Sequence, residues 1–240
     1  YLCSVAMHAA VYTTLTYSGF EISTNVAGLL LSAFAVFYAL FISLCFQNEL
    51  NSNNRNYRSL LPIYVPVGMA VLFDALLSIA LSGWDTWDSW EGLTVCVIYA
   101  ILSILVATIS KSRFIPYLTM GLIFLVNIFA IGIVGGTWGT RAVGWAMQGF
   151  VFWWLAIGIR KFLTFRTEPH LAIWINPLNN SAHRTALFAA GFTFLSFLFE
   201  FQGSGENLLV PTSVISILGL LYLGKAINER NLTNGYIAAI

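Results

Sequence analysis

Long runs of apolar residues dominate the chain, and most polar residues collect between them. Several runs reach the ~18–20 residues that an α-helix needs to cross the hydrocarbon core of a bilayer. A transmembrane β-barrel would show shorter segments of alternating polarity instead. The pattern predicts an all-α, polytopic transmembrane helical bundle that forms a single domain over residues 1–240. The eight predicted spans are 1–18, 26–46, 61–82, 93–110, 114–135, 143–159, 186–202 and 208–224.

The composition agrees with this class. Of the 240 residues, 58% are hydrophobic and 9% are charged, whereas a soluble domain carries about 25% charged residues. The chain opens on Tyr1 inside an apolar run, which is typical of a section of a longer protein. Cys3, Cys45 and Cys96 lie in separate predicted spans without metal-site or redox spacing. We therefore expect packing cysteines and neither a disulfide framework nor a zinc site.

The positive charges predict the orientation. With eight spans, both termini and the even-numbered connections lie on one side of the membrane. All of the eleven Lys and Arg residues except Arg141 fall on that side. Because cytoplasmic connections are enriched in Lys and Arg, both termini are predicted to be cytoplasmic. The pattern favours a multi-pass protein of a plasma membrane. We expect this membrane to be the inner membrane of a bacterium.

Tryptophans mark the predicted outer interface. The stretch "GWDTWDSWEG" (83–92) connects the third and fourth spans and alternates tryptophans with acids. Indole rings favour headgroup depth, so Trp84, Trp87, Trp90 and Trp138 are predicted to form an aromatic belt. The alternative is an aromatic, acidic vestibule that attracts cations or stacks a sugar.

Strongly polar side chains inside the predicted spans are the candidate functional residues. Asp74 lies in an apolar run, where an ionised carboxylate costs at least ~2.5–3.5 kcal/mol. It is therefore predicted to face the bundle interior and to have a partner. His8 and Asn127 lie near the middle of their spans, Gln148 lies about four residues into the sixth span from outside, and Glu200 lies near the outer end of the seventh span. The sequence thus predicts a polar layer between the midplane and the outer surface.

Two functions fit such a layer. In the first, these side chains line an outward-facing site for transport or permeation of a small polar solute or ion, because ionisable residues within membranes are usually functional. In the second, they hydrogen-bond between helices, at about 0.6 kcal/mol for each bond. The chain would then be a sensor or a structural subunit of a larger complex and would not transport anything.

Other classes of function find little support in the sequence. The three histidines include no pair at metal-ligand spacing, and no GxSxG motif is present. His170 is the only candidate for an intramembrane transferase. We therefore predict no catalytic residues, metal or cofactor and lean against an enzyme. The net charge of +1, with dispersed cations, does not favour nucleic-acid binding.

The longest predicted connection is cytoplasmic and covers residues 160–184. Pro169 and Pro177 are predicted to prevent a continuous helix there, because a proline inside a helix removes a hydrogen bond and clashes with the preceding turn. Besides the lipid bilayer, we expect a membrane or cytoplasmic protein partner to bind through this loop or the C-terminal tail.

Small residues predict close contact between helices. Gly132 and Gly136 form a GxxxG pair at the end of the fifth span. Such pairs let two helix backbones approach each other closely in a membrane.

One segment carries a resemblance. The stretch "GWAMQGFVFWWLAIGIRK" (144–161) resembles the W-A-x-E/Q-G…W…R segment of a family of long, uncharacterised bacterial polytopic membrane proteins. The resemblance implies that the chain is one section of a longer membrane protein. It implies no activity.

Overall fold

The described part of the protein is all-helical. The computed structural model describes residues 23–51, 74–81, 87–110, 113–165, 168–200 and 209–229, with single residues or pairs before 23 and at 71. No strand occurs in these ranges, and residues 74–81 form a helical segment. The helices with defined bounds are α1 (Thr24–Asn51), α2 (Trp90–Ser110), α3 (Ile115–Ile133), α4 (Trp138–Phe165), α5 (Pro169–Glu200) and α6 (Leu209–Glu229).

Four of these helices are long and apolar enough to cross a membrane, by length and composition. They are Trp90–Thr108, Ile115–Ile133, Trp138–Phe165 and Leu209–Asn228. This supports the predicted helical membrane protein. The count of eight spans and the cytoplasmic termini stay predictions. Spans 1–18 and 61–82 lie largely outside the described residues, and α1 contributes the shorter apolar stretch Val26–Tyr38.

The chain divides into two compact units, residues 1–105 and 106–240. The first unit contains α1, the segment 74–81 and the first part of α2, with Val95, Cys96 and Tyr99 buried inside it. The second unit contains α3 to α6.

Capping residues set two helix starts. The Ser89 hydroxyl accepts a hydrogen bond from the Gly92 N–H at 3.0 Å, so α2 begins at Trp90. The Thr137 hydroxyl accepts one from the Thr140 N–H at 3.3 Å, and α4 begins at Trp138. A side-chain cap satisfies a backbone N–H that has no hydrogen-bond partner within the helix. The cap at Thr137 therefore allows α4 to begin at Trp138, five residues before the predicted span 143–159.

Glycines end α3. Gly135 adopts a φ of 78°, which favours glycine because it has no Cβ. The Gly135 N–H donates to the Gly132 carbonyl and the Gly136 N–H to the Ile131 carbonyl, both at 2.8 Å. This pair of bonds is a Schellman motif. The GxxxG interpretation of Gly132 and Gly136 is therefore wrong, because Gly136 belongs to the helix cap.

The predicted loop 160–184 is helical instead. Helix α4 continues to Phe165 and α5 begins at Pro169, so the predicted span 186–202 overlaps only the second half of α5. Pro169 occupies the first helical position, where no N–H is needed. Pro177 lies inside α5, at a local cost of about 3 kcal/mol. The prediction that the prolines prevent one continuous helix holds at Pro169, where α5 begins after α4 has ended at Phe165, and is wrong for Pro177, which lies inside α5.

Packing joins α4 and α5 as an antiparallel pair. A Cβ on Gly149 would lie 2.9 Å from both the Ala182 carbonyl oxygen and the Thr185 hydroxyl, so the two backbones approach closely there. Around this contact a core of buried side chains forms. It comprises Met120, Phe152, Trp153, Ala156, Ile157, Leu178, Ala182, Ala186, Leu221 and Tyr222.

Contacts along α4 give the register of the bundle. Asn127 of α3 bonds to Gly144, so the first residue of α3, twelve residues earlier, lies level with about Ala156. Helix α4 continues past Ala156 to Phe165, and α5 returns from Pro169. Residues 157–165 and 168–176 therefore extend beyond the start of α3, by roughly 14 Å at 1.5 Å per residue. We call them the projecting hairpin.

Candidate functional site

One polar cluster lies between α3 and α4. The Asn127 Nδ2 donates a hydrogen bond to the Gly144 carbonyl at 3.1 Å. A Cβ on residue 144 would lie 2.6 Å from Asn127 Oδ1 and would also meet Ile131. Glycine at this position is therefore what lets the amide of Asn127 rest on the backbone of α4.

Gln148 extends this cluster. It lies one turn after Gly144, on the same side of α4, and only 7% of its surface is exposed. Neither amide atom of Gln148 has a hydrogen-bond partner among the residues that the structure describes. Within those residues the same holds for Asn127 Oδ1 and Trp145 Nε1. We call Asn127, Trp145 and Gln148 the amide layer.

Aromatic rings enclose one side of the amide layer. Trp145 stacks on Phe124 with 5.0 Å between ring centroids, and Phe188 and Phe192 meet its ring edge to face. The fully buried indole is thereby fixed while its N–H stays without a described acceptor. The layer offers two donor groups and two acceptor oxygens in apolar surroundings. Such groups can bind water or a small polar molecule.

Arg141 lies one turn nearer the start of α4. Its guanidinium carbon is 4.2 Å from the Trp138 ring centroid, and the residue is buried. This is a cation–π arrangement. Trp138 and Trp90 are partly exposed at the first positions of α4 and α2, and Trp87 adopts a φ of 56° in the preceding turn. The remaining tryptophan of the predicted belt, Trp84, lies outside the described residues.

Asp74 belongs to the first unit, so the structure describes it separately from Asn127 and Gln148. Only 1% of Asp74 is exposed. In the same unit the hydroxyls of Ser78 and Tyr99 lie 3.2 Å apart in a buried hydrogen bond. His8 and the side chain of Glu200 lie outside the described residues.

A second polar cluster was missed by the sequence analysis. The Tyr222 hydroxyl of α6 lies 2.7 Å from Nδ1 of His183 on α5, and Lys225 is buried one turn further along α6. The amide of Asn180 donates to the Tyr117 hydroxyl of α3 at 3.0 Å. We call these five residues the inner cluster, because they lie at the end of the bundle predicted to face the cytoplasm.

The inner cluster contains none of the candidate functional residues predicted from the sequence. It was missed because residues 179–184 were assigned to a loop. A signal was present: Asn180 and His183, and Tyr222 and Lys225, are each three residues apart, which places each pair on one helix face.

Electrostatics distinguishes the two described histidines. Burial, and then the positive charge of Lys225, lower the pKa of His183. His170, the one candidate for a transferase, is partly exposed, with Nε2 3.4 Å from Glu168 Oε2. Within the described ranges no three His, Cys, Asp or Glu residues form a group able to hold a metal ion.

Comparisons with known proteins give no relative. No protein-family model matches the chain, and neither a curated protein nor a solved structure shows significant similarity to it.

Proposed function

We propose that this membrane protein passes a small, uncharged polar solute through the amide layer of its second unit. The observation that carries the proposal is the buried amide of Gln148, which has no described hydrogen-bond partner. We further propose that the Lys- and Arg-rich side faces the cytoplasm of a bacterial cell, as the positive-inside rule predicts.

The energetic argument concerns the cost of burying such a group. A buried donor or acceptor without a partner costs about 1–3 kcal/mol, and native proteins rarely leave several together. The amide layer has four such atoms close to one turn of α4. A passing solute or water would satisfy them in turn. No described carboxylate belongs to the layer, which supports an uncharged solute over a cation.

A second function, that of a structural module without transport, is favoured by the first unit. Asp74 is almost fully buried, and the nearby bond between Ser78 and Tyr99 joins the segment 74–81 to α2. Bonds of this kind fix helix positions in a membrane. If this unit is structural, Asp74→Asn should leave the solute flux within about two-fold of the wild-type value. A two-fold change in rate corresponds to a free-energy difference of ~0.4 kcal/mol.

The test measures solute flux in liposomes. We would reconstitute the chain and follow shrinkage and swelling by stopped-flow light scattering, with glycerol and urea as probes. Gln148→Leu should lower the protein-dependent flux at least ten-fold, about 1.4 kcal/mol. Asn180→Leu, which removes an amide from the inner cluster instead, is the matched control and should retain most of the flux.

Thermal unfolding of the same variants tests whether a loss of flux comes from loss of the folded protein. Since Gln148 makes no described hydrogen bond, Gln148→Leu should not lower the stability. Absence of glycerol and urea flux in the wild type, together with a stable Gln148→Leu variant, would reject the proposed transport and leave the structural function.

A further inference from the structure

Gln148 offers a hydrogen-bond donor and an acceptor in one rigid plane. Its Nε2 carries two N–H donors and its Oε1 accepts hydrogen bonds, and the carboxamide holds the two atoms side by side. Neither atom has a hydrogen-bond partner in the described part of the chain, and only 7% of the residue is exposed. Gln148 therefore presents an unused donor–acceptor edge within an apolar helix bundle.

Two contacts with α3 fix the face of α4 that carries this edge. Asn127 donates to the Gly144 carbonyl, and Phe124 stacks on Trp145. Gln148 follows Gly144 by four positions and Trp145 by three, so it lies on the same face of α4, one turn further along. Asn127 Oδ1 and Trp145 Nε1, which have no hydrogen-bond partner among the described residues, belong to this region as well.

A planar donor–acceptor edge is complementary to another edge of the same kind. Glutamine side chains recognise adenine in this way, because the carboxamide bonds to a donor and an acceptor that lie side by side on the base. A primary carboxamide or urea presents the same pair of groups to Gln148. The hydroxyl groups of a polyol are carried by separate, rotatable carbon atoms, so two bonds to the same amide would cost conformational entropy.

The apolar surroundings agree with a small ligand of this kind. Phe124 stacks on the Trp145 ring, and Phe188 meets both rings edge to face. Sites for small molecules are lined mainly by such apolar and aromatic side chains, and a few polar groups orient the ligand. At the amide layer, the Gln148 carboxamide is the group suited to that task.

We propose that the solute of the amide layer is a small carboxamide or urea, and that Gln148 selects it over polyols of the same size. The Gln148 Nε2 donates to the carbonyl of the solute, and an N–H of the solute donates to Gln148 Oε1. This inference rests on the proposed transport function and names its substrate class.

The first test compares the flux of two solutes of equal size. Acetamide and ethylene glycol have the same number of non-hydrogen atoms, but only acetamide has the amide edge. After subtraction of the flux through protein-free liposomes, the wild type should pass acetamide at least about five-fold faster. Five-fold corresponds to ~1 kcal/mol, the lower end of the discrimination by one bidentate pair.

The matched variant is Gln148→Ser, which keeps a donor and an acceptor on one hydroxyl but removes the planar edge. Its fluxes of acetamide and ethylene glycol should be similar, whereas Asn180→Leu should keep the wild-type preference. Equal fluxes in the wild type, or a preference that Gln148→Ser retains, would overturn the inference and leave the proposed transport intact. Absence of both fluxes in the wild type would reject the transport.

The second test measures binding without transport. The chain contains three glutamines, so labelling with ¹⁵N-glutamine gives few side-chain amide signals, and Gln148→Leu assigns that of Gln148. In nanodiscs, acetamide should shift the Gln148 signal more than those of the other two glutamines, and ethylene glycol should not. This response in a protein without flux would support an amide-binding site that does not transport. A Gln148 signal that acetamide does not shift selectively would contradict the inference, whatever the flux.

Discussion

Gln148 and His183 show how much the surroundings of one polar side chain decide its role. Both were visible in the sequence as polar residues near apolar runs. Gln148 is buried without a described partner, whereas His183 is hydrogen-bonded to Tyr222 and repelled, when charged, by Lys225. The environment of Gln148 suits a group that binds a solute or water. That of His183 suits a histidine that is neutral near pH 7.

The His183 environment predicts a dependence of stability on pH. Its pKa is lowered in the folded protein, so below the ordinary value of 6.5 the unfolded chain binds more protons than the folded one. Its contribution is therefore complete above about pH 6.5 and decreases as the pH falls towards the lowered pKa. Thermal unfolding between about pH 7.5 and 5.5 should show this decrease.

The control for this experiment is His183→Gln. Glutamine can hydrogen-bond to Tyr222 but does not gain a proton in this range. The variant should therefore lose stability less steeply on acidification. An identical slope in the two proteins would assign the pH dependence to other groups.

At the scale of single residues, the sequence predicted that certain polar side chains lie inside apolar helices, while their depth in a membrane stays a prediction. It placed Asn127 and Gln148 in apolar runs, and both lie in described apolar helices. It could not predict the bond between Asn127 and the Gly144 carbonyl. That contact depends on the register between two helices, which the pattern of one chain segment does not contain.

Helix α4 illustrates what close packing requires of an element. Gly149 faces the α5 backbone, while Gly158 has no neighbour within 4 Å of where its Cβ would lie. Gly149→Ala should lower the free energy of unfolding by about 1–3 kcal/mol through steric overlap with α5. Gly158→Ala should raise it by about 0.5–1 kcal/mol, because alanine loses less conformational entropy in a helix. Unfolding in mixed micelles measures both changes, and similar effects of the two substitutions would contradict this packing.

The sign of the stability change caused by Pro177→Ala tests whether Pro177 lies inside α5. Inside a helix, Pro177→Ala restores a hydrogen bond and removes a clash, so the stability should rise, by up to about 3 kcal/mol. In a loop, the same change would lower stability by about 0.4–1 kcal/mol, because the unfolded chain gains freedom. Pro169→Ala, at the first helical position, is the control and should have little effect.

At the scale of elements, hydropathy predicted the apolar centres of helices better than their ends. The predicted spans 93–110, 114–135, 143–159 and 208–224 each overlap a described apolar helix. The ends depend on local bonds such as the caps at Ser89 and Thr137. The first half of α5 was missed because it carries Asn, His and Arg residues and therefore shows no uniform apolar character. Packing against the neighbouring helices stabilises it instead.

For the whole molecule, the orientation is the prediction with the simplest test. Val134 in the α3–α4 connection and Thr164 near the end of α4 are both exposed and lie on opposite sides of one apolar helix. In a background with the three native cysteines replaced by alanine, Val134→Cys should react with a membrane-impermeant maleimide in intact cells. Thr164→Cys should react only after lysis. The reverse pattern would contradict the positive-inside orientation, and labelling of both in intact cells would contradict a crossing by α4.

The division into two units was not predictable from the sequence. The apolar pattern continues without a break in composition around residue 105, so it gives no sign of the division. The single domain over residues 1–240 stays a prediction. The division follows from which helices contact one another, and in an apolar bundle many arrangements bury similar faces.

The projecting hairpin makes the protein sensitive to the thickness of its bilayer. Helix α3 has 19 residues and α4 has 28, lengths of roughly 28 and 42 Å. A thin bilayer matches α3 and leaves Phe162 and Phe165 of α4 in water. A thick bilayer would cover those rings. It would also draw Arg160 and Lys161 into the hydrocarbon, and the cost of burying their charges opposes this. Hydrophobic mismatch of this kind sorts proteins among membranes, so these two cations set an upper limit on the thickness that the bundle tolerates.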